Sequence, residues 1–147
     1  MTDKGISIKA EDKNDLEVIS SLMQDATVKV EDLAFEKGSH QFACLANRFR
    51  WEKKDGKKGE RIRSMIRFEH VLNTSLQNIP LNSPSHVLNF LSLGCTEGED
   101  GAKILTFVFS GFAAIRLEVE CLEAFMEDMS EPWKTKNTPN HKILGGD

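Results

Sequence analysis

Residues 47–68 read NRFRWEKKDGKKGERIRSMIRF. Asp55-Gly56 near the middle favours a tight hairpin turn, because both residue types accept the backbone angles such a turn needs. After it, Ile62, Ser64, Ile66 and Phe68 alternate with Arg61, Arg63, Met65 and Arg67. A period of two is that of a strand, and it turns the Ile62 set inward. Before the turn, Arg48 and Arg50 alternate with Phe49 and Trp51. The stretch reads as an antiparallel ribbon, and the rest of the chain is read outward from it.

Upstream, QFACLANRFRWE (41–52) is the first strand of that ribbon. TVKVEDLAFE (27–36) carries β-branched residues in rough alternation, and Lys37-Gly38-Ser39 makes a turn. Leu16, Ile19, Met23 and Ala26 recur at helical spacing, and Asn14 with Glu17 fits a capping box. A helix is expected from about residue 15 to 25, after a short strand at 6–10. Downstream, Val71 to Leu76 prolongs the ribbon, and a loop rich in Asn and Pro runs to residue 86. VLNFLSLGC (87–95), KILTFVFSG (103–111) and AAIRLEVE (113–120) read as strands, with GCTEGEDG (94–101) as a turn. CLEAFMEDM (121–129) puts Cys121, Leu122, Phe125, Met126 and Met129 on one helical face, and Pro132 stops that helix.

The order predicts an α+β domain, mainly antiparallel β: a half-open barrel or curled sheet with one N-terminal helix and a C-terminal helix packed across the barrel. Such an order resembles the pleckstrin-homology-like barrel. Residues 1–133 are expected to form one domain and residues 134–147 a flexible tail.

Hydrophobic residues make up 39% of the 147 and charged ones 29%, which is ordinary globular composition. The formal net charge is −4, yet nine Lys or Arg face three acids between residues 48 and 67. Charge is thus polarised along the chain. An acidic whole makes a poor generic nucleic-acid binder, although a local basic face can still hold an anion. Cys44, Cys95 and Cys121 are too few and too scattered for a disulfide framework. The charged opening does not read as an export signal, and the uncharged run from Val71 to Thr96 is broken by Asn and Pro. A cytoplasmic protein without a membrane span is expected.

QDATVKVEDLAF (24–35), NRFRWE (47–52) with RSMIRF (63–68), and AAIRLEVECLEAFMEDM (113–129) together resemble a bacterial family known as domain of unknown function 2948. The resemblance spans nearly the whole chain. It implies a small stand-alone bacterial protein and carries over no catalytic residues. The Lys-rich loop and the tail are where this sequence departs from the family.

The candidate site is the basic ribbon. If the turn aligns the two arginine faces, Arg48, Arg50, Arg61, Arg63 and Arg67 form one patch able to grip phosphate or carboxylate in bidentate fashion. The simpler account has Phe49 and Trp51 in the core and the arginines solvated, and a slip of one residue dissolves the patch. The acidic residues from Glu118 to Glu131 read as a solvated face, or as a partner for the basic ribbon within the chain or in a second copy. No metal-ligand spacing, cofactor motif or catalytic constellation is present. Cys121 reads as a buried structural thiol. These observations favour a non-enzymatic module that binds an acidic protein or a phosphate-bearing ligand through the five arginines. RNA or nucleotide binding is one alternative, and a small-ligand pocket or enzyme site near His86 and Asn89 is another. A homodimer is a further expectation.

Overall fold

The computed structural model describes residues 5–52 and 59–134. The Asp55-Gly56 turn and residues 135–147 of the tail lie outside that range.

The chain opens with β1 (Ser7–Ala10) and α1 (Lys13–Met23). The helix begins two residues earlier than its apolar stripe suggests. Asp12, not Asn14, is the N-cap: its carboxylate accepts from the Asp15 N–H at 2.8 Å, and the Asp15 side chain accepts from the Glu11 N–H at 3.2 Å. The stripe itself is as expected, with Leu16, Ile19 and Met23 buried. Among the described residues eight strands follow the pair β2 (Thr27–Lys29) and β3 (Leu33–Glu36) in an almost unbroken series: β4 (Gln41–Phe49), β5 (Glu60–Phe68), β6 (Val71–Gln77), β7 (Val87–Glu97), β8 (Lys103–Phe109), β9 (Ala113–Val119), β10 (Ala124–Asp128) and the short β11 (Trp133–Lys134).

All pairings are antiparallel, in the order β1-β10-β5-β4-β2-β7-β8-β9-β6, with β3 added to β4 and β11 to β5. β5 runs on into β6 and β9 into β10, so one long ribbon contributes to both ends of the order and bends at residues 69–70 and 120–123. His70 stands at the bend with φ +60°, and its carbonyl accepts from the Glu120 N–H. The sheet therefore curls back over its own inner face. Phe42 and Phe68 from one end meet Phe107 from the other, at ring-centre distances of 5.5 and 5.2 Å with near edge-on geometry. Phe90, Ile115, Leu117 and the helix stripe complete the core.

The expected closing helix is not there. Residues 124–128 are a strand held between β1 and β5, in register Met126↔Ile8 and Met126↔Ile66. Leu122, Ala124 and Met126 point inward, a period of two that Asp128 continues. Cys121 consequently lies exposed rather than on a buried helical face. The comparison with a pleckstrin-homology-like barrel fails with this helix. α1, packed on β7, is the one α-helix among the described residues. No helix among them is long and apolar enough to cross a membrane.

Candidate functional site

The register of β4 against β5 settles where the five arginines go. Phe49 stands opposite Arg61, Arg48 opposite Ile62, and Asn47 opposite Arg63. Arg48 therefore shares the inner face with Ile62, Ser64 and Ile66, while Arg61, Arg63 and Arg67 share the outer face with Phe49. The five guanidiniums do not form one surface.

Arg48 has no exposed surface at all. Its Nε and Nη2 donate to the two oxygens of Asp128 at 2.9 and 2.8 Å, and its Nη1 and Nη2 donate to those of Glu52 at 2.9 and 2.8 Å. The fifth N–H reaches the Phe49 carbonyl at 3.3 Å. Asp128 in turn accepts from the Ser64 hydroxyl at 2.5 Å and from the Ile6 N–H at 2.7 Å. A Cβ on Gly5 would collide with the Asp128 side chain, so the chain passes this carboxylate only because residue 5 has none. Burial alone would depress the Arg48 pKa, but the bonds to Glu52 and Asp128 raise it above its ordinary value. Burial likewise pushes both carboxyls up, and the Arg48 bonds reverse that, leaving Glu52 and Asp128 below their usual range. Here the acidic end of the chain does meet the basic ribbon, inside the protein.

Arg50, 2% exposed, bonds Glu60 at 2.8 Å and lies 3.5 Å from Glu52. Arg61, 9% exposed, donates to the backbone carbonyls of Asn47 and Asp25 at 3.1 and 3.3 Å, with the Phe49 ring 6.0 Å away. Phe49 packs against Trp51 at 4.6 Å, and the Trp51 indole N–H donates to the Gln24 carbonyl. This aromatic pair lies outside the main core, opposite to the simpler sequence reading, and Arg48 is buried rather than solvated. Only Arg63 and Arg67 keep about a third of their side chains exposed (38% and 36%). Arg63 reaches Asp32 at 3.3 Å, while Arg67 bonds Glu69 at 2.7 Å and lies over the Phe125 ring at 4.6 Å.

The buried cluster was readable in principle. Ser64 and Arg48 each interrupt an inward stripe of apolar residues, and Asp128 does the same once 121–129 is taken as a strand. Register then stacks Ala46, Ser64 and Asp128 in one row.

A second feature lies at the far end of the sheet. A hollow of about 680 Å³ is bordered by Leu76, Ile79, Leu81, Val87 and Ala113, with His86 and Ser110 as polar lining. Asn89 does not line it; its side of β7 is exposed and its carbonyl accepts from the Ser110 N–H. The adjoining hairpin tip carries Gly111 at φ +74° and Phe112 at φ +61°. Phe112 is 86% exposed, and its carbonyl accepts from the Gln77 and Asn78 side chains at 3.2 and 3.0 Å. Leu81 and Val87 are also exposed. The sequence hinted at this hollow only through the uncharged 71–96 run; Phe112 carried no signal. Among the described residues, no group of His, Cys, Asp or Glu is arranged to hold a metal ion.

No curated protein and no solved structure matches the chain. A family of proteins of unknown function does match, over residues 6–141, which is nearly the whole length of the ribbon-built domain just described. The chain belongs to the DUF2948 family.

Proposed function

We propose that the protein is a non-enzymatic binding module whose recognition site is the apolar hollow between β6, β7 and the β8–β9 hairpin. The observation that carries this reading is a concave, mainly apolar surface beside a hairpin tip whose Phe112, not itself part of the lining, holds a large ring almost wholly in solvent on left-handed backbone. A bulky residue in that conformation is strained, and such strain collects at functional sites. Exposed apolar surface beside a concavity is what ligand and partner sites offer. The ligand is an apolar group carrying a hydrogen-bonding function within reach of His86 or Ser110. Arg48, Glu52 and Asp128, whose pKa values are shifted by their mutual bonds, neutralise one another away from this hollow. That arrangement supports a scaffold role for them rather than acid–base chemistry. Three free thiols suit a reducing, cytoplasmic setting.

The test is a fragment screen read by methyl NMR on labelled Leu, Ile and Val. Hits are expected to move Ile79, Leu81 and Val87, and Ser110→Trp is expected to abolish those shifts while leaving the thermal midpoint unchanged. Hits that scatter over the surface, or that survive Ser110→Trp, would overturn the reading.

A second reading keeps the anion-binding idea on a smaller surface. Arg63 and Arg67 lie on the same face of β5, two strand periods apart and partly exposed, with Lys9 near Phe125 at 5.7 Å. An acidic protein or phosphate-bearing ligand would have to displace Asp32 and Glu69. Binding of a phosphopeptide that is lost in Arg63→Glu/Arg67→Glu would support it. RNA binding through the same pair would be marked by a steep fall with salt.

A further inference from the structure

We infer that β6 is a dimerisation strand, pairing edge to edge with β6 of a second copy about a two-fold axis at Thr74. Among the described residues β6 is paired with β9 on one side, and on its other edge His40 bonds Val71 while no strand pairs with Leu72 to Gln77. Every residue from Leu72 to Gln77 is exposed, although Thr74 and Leu76 stand in register with the buried Leu117 and Ile115. Sheet edges are commonly guarded by charge. β1 carries Lys9, and β3 ends in Glu36 followed by Lys37. β6, with the sequence VLNTSLQ, has no charged residue and no proline.

The sequence of this edge is close to a palindrome in polarity about its centre: Leu72, Asn73, Thr74, Ser75, Leu76. An isologous antiparallel pair centred on Thr74 sets Asn73 of each copy against Ser75 of the other and, past the β-bulge between Val71 and Asn73, brings Leu72 beside Leu76. Both leucines, now 47% and 37% exposed, are then covered twice by the same operation. The next strand out agrees in sign. Asn73 is opposite Glu118 and Ser75 opposite Arg116 within β6–β9. Each row across the joined sheet therefore begins at Glu118 of one copy and ends at Arg116 of the other, so like charges do not meet. A foreign peptide strand has no reason to match this symmetry, whereas a second copy of the chain does so without further requirement. The inference is separable from ligand binding in the hollow although Leu76 borders both: fragments can fail to bind while the dimer persists.

Sedimentation equilibrium of the full chain is expected to give a concentration-dependent dimer. Thr74→Lys places two ammonium groups against each other on the axis and is expected to weaken it at least tenfold, with the thermal midpoint of the dilute monomer unchanged. In a Cys95→Ser/Cys121→Ser background, Thr74→Cys is expected to form an intermolecular disulfide, since directly opposed strand residues bring Cα atoms to about 4.5–5.5 Å, within disulfide reach. Val18→Cys, exposed on α1, serves as the collision control. A monomer at 200 μM (about the upper working concentration for a weak dimer), a dimer indifferent to Thr74→Lys, or crosslinking of Thr74→Cys no faster than Val18→Cys would each overturn the proposal. If Thr74→Lys fails to fold, the crosslinking rate decides alone.

Discussion

Arg48 offers five N–H donors, and all five end on oxygen within 3.3 Å. Moving one guanidinium and one carboxylate out of water costs several kcal/mol per ion, and only such complete pairing repays it. The pair is therefore fragile to single changes and tolerant of concerted ones. Arg48→Met leaves Asp128 buried without its cation and is expected to lower unfolding free energy by about 3–5 kcal/mol in urea titrations. Arg48→Met with Asp128→Leu and Ser64→Ala is expected to recover most of that loss, because Glu52 reaches solvent and no buried Ser64 hydroxyl is left without its acceptor. The same cluster sets an acid limit. Asp128 and Glu52 have native pKa values below their ordinary 3.8 and 4.5, so their contribution is complete above the latter, erodes as pH falls past these values, and is gone below the lowered native ones. Glu97 and Glu123 are lowered too, by Lys103 and His70, but on the open surface. Stability measured against pH in high salt suppresses those and keeps the buried step, which Asp128→Asn is expected to abolish.

Residues 121–129 show how an element can be misread. Their apolar positions fit a helix as well as a strand, and Leu, Glu, Ala and Met are good helix formers. The strand period is masked because its fourth inward place is Asp128, an acid where a core residue is expected. What overrides propensity is the pair of backbone ladders to β1 and β5 together with the Arg48 carboxylate link. Glu127 faces outward on this strand. Glu127→Thr exchanges a helix former for a β-branched residue and is expected to raise stability by about 0.3–1 kcal/mol; a drop in chemical-denaturation midpoint would mean that the segment is not a strand. By contrast α1 was plain in the sequence, because Leu16, Ile19 and Met23 leave one clean stripe and nothing polar intrudes. The β5 faces were equally plain. The arginine patch was not, since alternation gives each strand two faces but only register says which faces coincide, and the registering turn carries no side-chain pattern that reaches Arg48.

At the scale of the molecule, the curled sheet makes one core from residues distant in sequence, so its integrity has a natural reporter in Cys44. This thiol sits on the inner face of β4, opposite Leu33 on one side and Ile66 on the other. Burial, with Asp32 adding to it, pushes its pKa up to about 12. Reaction requires the thiolate, and access requires β3, β4 and β5 to part. At pH 8 Cys121, exposed, is expected to be labelled by a disulfide reagent within the first phase, and half-buried Cys95 more slowly. Cys44 is expected to wait for global opening, with a labelling rate that rises with urea along the slope of the equilibrium unfolding transition. A Cys44 rate that is fast in native buffer and nearly flat in urea would show that β3 peels from β4 by itself, and that the sheet ends coupled through Phe42, Phe68 and Phe107 do not unfold as a unit.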